Sequence, residues 1–283
     1  MTRDGLLSGE ARLAGVMGFP VAHSLSPRLH GFWLREHAID GAYLPLRVRP
    51  EDLAAALRAL PVLGFRGSNL TIPHKEAALR MVDRVSARAQ RIGAVNTVVV
   101  DGDGLAGDNT DGFGFIESLR EAVPGWRADR GPAVVLGSGG AARAILVALL
   151  DGGAPAIRLL NRTPQRAARL ADELGGPIAP LPWEDRAAAL DGAALLVNTT
   201  SLGMAGQPSL EVGLDALPKD AVVTDIVYTP LLTGLLAAAQ ARGNPVVDGL
   251  GMLLHQARPG FEAWFGVRPA VTPALRAAVL GTA

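Results

Sequence analysis

Cysteine is absent from the 283-residue chain, which excludes disulfides, thiolate nucleophiles and cysteine-ligated metals together and fits a reducing compartment. Net charge is absent too, since 27 basic side chains balance 27 acidic ones. That neutrality removes the electrostatic basis for nucleic acid or an anionic membrane as the main partner. No stretch approaches the roughly 18 uninterrupted apolar residues of a membrane span, and the opening MTRDGLLSGEARLAG lacks the apolar core of a signal peptide. The sequence therefore predicts a soluble, cytoplasmic protein. Lysine is scarce, with Lys75 and Lys219 standing out in an arginine-rich chain. Histidines 23, 30, 37, 74 and 255 follow no ligand spacing, so no metal is expected.

What is present is the composition of a folded, core-forming protein: 49% hydrophobic and 19% charged residues, with 34 Gly and 20 Pro to serve many turns. The length suits two domains better than one. Short β-rich runs alternate with amphipathic helical runs, the mark of βα units and a mainly parallel sheet. In the first third, strands are predicted at 13–17, 43–48, 66–71 and 95–100. Helices are predicted at 26–37, with Ser26 as N-cap and Pro27 at the first helical position, and at 51–60, 75–82 and 87–92. The Gly/Asp/Asn-rich stretch 101–114 supplies a hairpin turn and then the exit from this unit, followed by a helix at 113–121. A second series has strands at 133–136, 157–161, 194–198, 222–226 and 246–247, with helices at 142–150, 165–174 and 231–242. Carboxy-terminal helices at 252–265, interrupted by Pro259, and at 273–280 complete no βα unit and are expected to pack on the first domain.

The segment AVVLGSGGAARAILVALL is a buried strand followed by G-x-G-x-x-A, carried by Gly137, Gly139 and Ala142, at the opening of a helix. The first glycine permits the tight turn, the second lets the backbone approach a pyrophosphate, and Ala142 allows close helix packing. Backbone N–H groups of residues such as Ser138, Gly140 and Ala141 then face the anion. The next strand ends in Asn161-Arg162-Thr163, with Arg166 beyond, where a site for NAD would carry an acid on the ribose 2'-hydroxyl. Two guanidiniums there suit a 2'-phosphate, so NADP is the expected cofactor. The bland alternative leaves them as solvated residues of a helix start.

In the first third, apolar strands terminate in polar clusters: HSLSP at 23–27, NLTIPHK at 69–75, AVNT at 94–97 and GDNTDG at 107–112. Polar groups at strand carboxyl ends suit a small polyol, although Ser26 alone would serve as a helix cap, Asn96 as a turn residue and Asp111 as a helix start.

These motifs, with GSGGAAR, NRT, NTTSLGM and DGLGMLLHQ in order, resemble the shikimate dehydrogenase family over nearly the whole chain. The resemblance implies an α/β fold of two domains separated by a cleft. Residues 1–111 with 249–283 would form a discontinuous substrate-binding domain, and 112–248 a Rossmann-type NADP-binding domain. It implies reversible NADPH-dependent reduction of 3-dehydroshikimate to shikimate in aromatic amino-acid biosynthesis. Lys75 and Asp111 would form the catalytic pair, and Ser24 and Ser26 would bind the substrate carboxylate. Asn69, Thr71, Asn96, Gln256 and Tyr228, with the catalytic pair, would line the remaining substrate site. Thr199, Thr200, Ser201, Ile226 and the Gly249 backbone would join the cofactor contacts. A monomer or homodimer is expected. The rival readings are an NAD-preferring quinate/shikimate dehydrogenase and a shikimate-binding homologue without turnover.

Overall fold

The computed structural model describes residues 7–282; the first six residues of the amino-terminal segment lie outside the described residues. The chain divides into two compact units, one running to Thr110 and resuming at Leu254, the other Asp111–Leu253.

The first unit is built from β1 (Arg12–Gly18), α1 (Ser26–Glu36), β2 (Gly41–Arg47), α2 (Leu53–Val62), β3 (Phe65–Leu70), β4 (Arg84–Val85), α3 (Ala87–Ile92), β5 (Thr97–Asp101) and β6 (Gly104–Asp108). Its sheet runs β2-β1-β3-β5-β6-β4. The three strands that begin the sequence pair in parallel, whereas β5 returns antiparallel to β3 and forms a hairpin with β6. The glycine- and aspartate-rich stretch after β5 makes the hairpin turn, so the sheet is mixed at that edge. Apolar side chains of β1, α2, β3, β5 and β6, among them Met17, Leu57, Leu70, Val98 and Leu105, form the core.

In the inserted unit, α4 (Asp111–Ala122) leads to β7 (Ala133–Leu136), α5 (Gly140–Asp151), β8 (Ile157–Leu160), α6 (Pro164–Leu174) and β9 (Ile178–Leu181). Then follow β10 (Leu195–Asn198), β11 (Val222–Asp225), α7 (Gly234–Ala241) and β12 (Val246–Val247). The order β12-β11-β10-β7-β8-β9 is wholly parallel, with β7 central. This is the doubly wound arrangement that binds ligands beyond the carboxyl ends of its middle strands. Every residue of β7 and β10 is buried, which is why these strands read as continuous apolar runs.

Helix α8 (Gly249–Phe265) carries the chain back into the first unit, and α9 (Pro273–Leu280) packs on α1. Three local expectations are corrected. Helix α8 continues through Pro259, because the buried Phe261, Trp264 and Phe265 hold the turn whose N–H is missing. Residues 77–80 form only a 3-10 turn in place of a helix over 75–82. Ser26 is the first helical residue and not the N-cap, a position held by Leu25. The backbone N–H of Ser26 is instead accepted by Ser24 Oγ (3.3 Å). Among the described residues no helix is long and apolar enough to cross a membrane.

Behind α1 lies an aromatic cluster. His30 stacks on Tyr43 at 3.8 Å and 3°, with Trp33, Phe261 and Trp264 around it. Neither ring nitrogen of His30 has a hydrogen-bond partner among the described residues. Burial pushes its pKa down from 6.5 to about 3, so the ring is neutral. Between those values the unfolded chain carries a proton that the folded chain does not. The contribution of His30 is therefore intact above the unfolded value and lost as pH falls toward the folded one, at about 1.4 kcal/mol per pH unit. Urea denaturation of His30→Phe between about pH 6 and pH 4 should show a slope shallower by that amount; parallel slopes would contradict the assignment.

Candidate active site

The loop after β3 is clamped at its backbone. Thr71 N–H donates to Met17 O (3.0 Å), Phe19 N–H to Ile72 O (3.0 Å) and His74 N–H to Thr71 O (2.9 Å). His74 is buried with Nε2 on the Val48 carbonyl at 2.9 Å. A carbonyl can only accept, so that nitrogen carries the proton. Burial lowers the pKa of His74, against the opposing effect of the Val48 bond. The carbonyl of Lys75 accepts Val95 N–H (2.8 Å). The half-buried Lys75 is thereby fixed beside the AVNT segment.

That segment leads into a buried chain of polar side chains. Asn69 Nδ2 donates to the Asn96 carbonyl (3.1 Å) and to Thr97 Oγ1 (3.2 Å). Thr97 Oγ1 donates to Asn96 Oδ1 (2.9 Å), which also accepts Thr110 N–H (2.9 Å). Asn96 Nδ2 donates to Thr110 Oγ1 (3.0 Å) and Gln256 Oε1 (3.3 Å), and Thr110 Oγ1 donates to the Gln256 carbonyl (2.8 Å). At the other end Tyr43 donates its hydroxyl to Asn69 Oδ1 (2.6 Å). Burial raises the pKa of Tyr43 well above its ordinary value, so the phenol keeps its proton. Asn69, Asn96 and Gln256 thus belong to one network in the first unit, and Ser26, buried, opens α1. Ser24 stands at the α1 entry, and Thr71 and Lys75 on the clamped loop. Asp111, buried, opens α4 in the inserted unit one peptide bond beyond Thr110, and Tyr228 lies on the loop after β11.

In the inserted unit the β7–α5 turn has the properties a pyrophosphate requires. Gly137 has φ +108°, and a Cβ there would lie 2.5 Å from Thr199 Oγ1. At Gly139, by contrast, a Cβ would meet no heavy atom within 4 Å, so the backbone faces open space that a ligand can fill. Ser138 Oγ is buried with no hydrogen-bond partner among the described residues, and no side chain caps α5, which starts at Gly140 and Ala141. An orphaned hydroxyl and uncapped N–H groups fit a dinucleotide phosphate. After β8, Asn161 Nδ2 holds the turn through Thr163 O (2.9 Å). Arg162 and Arg166 are exposed, and neither guanidinium has a hydrogen bond or ion pair with another described residue.

The loops after β10 and β11 share a buried support that the sequence reading missed. Asp225, fully buried, accepts from Asn198 Nδ2 (3.0 Å), Val227 N–H (3.0 Å) and Thr233 Oγ1 (2.8 Å). Desolvation raises its pKa against those three bonds. Asn198 Oδ1 in turn accepts Thr200 N–H (3.0 Å) and Oγ1 (2.7 Å). Thr199 Oγ1 donates to the Leu136 carbonyl (2.7 Å). The hydroxyl protons of Thr199 and Thr200 therefore hold the loop in shape, and Ser201 is the exposed hydroxyl of the three. Gly249 lies against the Ile226–Val227 backbone, where a Cβ would come within 2.3 Å of Ile226 O. Its absence of a side chain is needed to seat the loop that leads to Tyr228. The signal for Asp225 was visible only as an acid ending an otherwise apolar strand.

Models of three family segments match the chain: the shikimate dehydrogenase substrate binding domain over residues 16–98, shikimate / quinate 5-dehydrogenase over 122–205, and the shikimate 5'-dehydrogenase C-terminal domain over 249–280. A shikimate dehydrogenase (NADP(+)) of Paramagnetospirillum magneticum is 63% identical, covering 97% of this chain and all of its own. The chain belongs to the shikimate dehydrogenase family. A second shikimate dehydrogenase (NADP(+)), from Rhodospirillum rubrum, is 62% identical over 98% of this chain and 99% of its own. Among solved structures, the Thermus thermophilus shikimate 5-dehydrogenase in complex with NADP(H) and shikimate superposes with a TM-score of 0.85 at 41% identity, over 96% of this chain and all of that one. The quinate dehydrogenase of Corynebacterium glutamicum in complex with NAD gives 0.88 at 32% identity, over 96% and 99%. Both shikimate and quinate dehydrogenases thus share this fold, and the choice between them rests on side chains.

In this member of the shikimate dehydrogenase family the Asp225 support generates a test. Asparagine offers one acceptor oxygen and brings an N–H₂ among three donors, so Asp225→Asn should destabilise the protein by about 1–3 kcal/mol in urea denaturation. Unchanged stability would show that the three bonds hold nothing.

Proposed function

We propose that the chain catalyses the reversible NADPH-dependent reduction of 3-dehydroshikimate to shikimate, in the shikimate pathway of aromatic amino-acid biosynthesis. The observation that carries this reading is the buried network joining Asn69, Asn96 and Gln256, on the same unit as Ser26 and Lys75. Such a set recognises a small ring bearing hydroxyls and a carboxylate, and residues held by one another keep their donors and acceptors aimed.

NADPH supplies the hydride when bound. Gly137, Ser138, Gly139, Gly140 and Ala141 would hold its pyrophosphate, and Asn161, Arg162, Thr163 and Arg166 its 2'-phosphate end. Thr199, Thr200, Ser201, Ile226 and Gly249 would shape the nicotinamide side. Ser24 and Ser26 bind the substrate carboxylate through hydroxyl donors, with no second charge to bury. Asn69, Thr71, Asn96, Gln256 and Tyr228 orient the ring. Lys75 and Asp111 form the catalytic pair: in reduction the Lys75 ammonium donates a proton to the reacting oxygen, and Asp111 accepts a hydrogen bond from the ring and steadies the exchange. The unit that runs to Thr110 and resumes at Leu254 is the substrate-binding part, and Asp111–Leu253 the cofactor-binding part, bounds that differ from the expected 1–111 with 249–283 and 112–248 by one residue and by five. The protein acts in the cytoplasm, as a monomer or homodimer.

Lys75→Ala should lower kcat by about 10²–10⁴ while raising the KM for shikimate far less, because proton transfer is felt chiefly in the transition state. Retention of most of the wild-type kcat would defeat the assignment.

The rival is an NAD-preferring quinate dehydrogenase, favoured by the fold likeness alone. Against it stand the two unengaged arginines after β8. Each charge-assisted contact to a 2'-phosphate is worth about 1.5–3 kcal/mol. Replacing Arg162 and Arg166 together by Ser should therefore weaken NADP binding by more than about tenfold and leave NAD binding nearly unchanged. Equal loss for both cofactors would remove the basis for NADP.

A further inference from the structure

Gly112 follows Asp111 in the chain and stands in the first turn of α4. Glycine weakens a helix, so its presence there needs a physical reason. Backbone conformation does not supply one, because Gly112 is not among the residues held at positive φ. Space does. A Cβ at this position would lie 2.8 Å from the main-chain oxygen of Ala144 and 3.1 Å from Ala148 Cβ. Ala144 and Ala148 stand one turn apart on α5 and share a face, and the start of α4 is seated directly on that face.

Helix α5 opens at Gly140 on the phosphate turn, and Ala144 stands one turn beyond that opening. Both helices belong to the inserted unit. The contact at Gly112 therefore sets how far Asp111 lies from the turn proposed to hold the pyrophosphate. Further along, α4 is fixed independently. Phe115 and Leu119 are buried in one core with Ile145, Leu146 and Leu149 of α5, and Ser118 meets Gly251, where a Cβ would come within 2.3 Å of Ser118 Oγ. The helix cannot shift as a whole without opening these contacts, so a methyl group at 112 must lift the first turn, the turn that carries Asp111.

Resting on the reading of Asp111 as a member of the catalytic pair, we propose that Gly112 is a positioning residue, whose missing side chain lets α4 close onto α5 and holds the Asp111 carboxylate in a fixed place relative to the cofactor turn. The first obstacle to a side chain here is a backbone oxygen within a helix, which cannot rotate away as the end of a flexible side chain would. Catalysis tolerates little error of placement: a shift of about 1 Å can cost about 10²-fold in rate, so lifting the start of α4 by part of that distance should cost about tenfold. The cofactor turn itself lies on α5 and stays where it is.

The test is a double-mutant cycle of Gly112→Ala with Asp111→Asn, read by kcat for shikimate oxidation, by the KM for shikimate and by direct titration of NADPH through its fluorescence. With Asp111 present, Gly112→Ala should lower kcat about tenfold, raise the KM for shikimate by less than about threefold and leave the NADPH dissociation constant within about twofold of wild type. In the Asp111→Asn background the same substitution should cost less than about twofold, because the group it misplaces has already lost its function. A purely structural glycine would give equal losses in the two backgrounds. Should Gly112→Ala fail to fold, Ala148→Val crowds the same contact from α5 and carries the same expectations. Wild-type kcat in the variant that folds, equal losses in the two backgrounds, or NADPH binding weakened as much as kcat would overturn the positioning role and leave the functional reading in place. A wild-type protein that does not oxidise shikimate would defeat both.

Discussion

The buried polar network of the first unit depends on Asn96 having its hydrogen-bonding capacity met in a place water does not reach. Its side chain is buried, and it holds Thr110 and Gln256 directly and Asn69 through Thr97. Thr110 is the last residue of the first unit before the chain leaves it, and Gln256 lies just after the chain returns at Leu254. One asparagine therefore holds residues at both points of exit, and it does so with the groups proposed to recognise a ring hydroxyl. In a low-dielectric interior each bond is strengthened and each missing partner is expensive, so the network specifies one arrangement of its members.

The inserted unit solves a similar problem with a carboxylate. Asp225 lies among three donors and no cation appears among the contacts described for it. Its charge is balanced by N–H and O–H dipoles from the two loops and from the start of α7, as buried carboxylates require. The adjacent phosphate turn is left in the opposite condition: Ser138 Oγ unsatisfied, α5 uncapped and open space at Gly139. Polar groups are saturated where loops need shape and unsaturated where an anion is to be received.

Local periodicity made the architecture legible. The strand before G-x-G-x-x-A, the parallel order it implies and the helices that follow were all readable because each rests on residues close in sequence. Strands β4 and β9 escaped notice, having two and four residues with half-exposed patterns. Ser26 was legible as important and misleading as to its place: followed by proline it reads as an N-cap, whereas in the fold it is the first helical residue and its N–H is accepted by Ser24 Oγ. The motif residues Asn69, Asn96 and Gln256 were found by resemblance, whereas Tyr43 and Thr97 hold Asn69, and Asn198 and Asp225 hold loops of the inserted unit, through contacts across as many as 28 positions of sequence. Such long-range hydrogen bonds leave no periodic trace, so only the fold reveals them.

The central claim is the pairing of this substrate with this cofactor on a fold that relatives use for others. The most direct measurement is initial velocity with purified protein in a two-by-two comparison of shikimate and quinate against NADP and NAD. The account predicts that shikimate with NADP is turned over with by far the highest kcat/KM of the four. Turnover confined to quinate with NAD would contradict it.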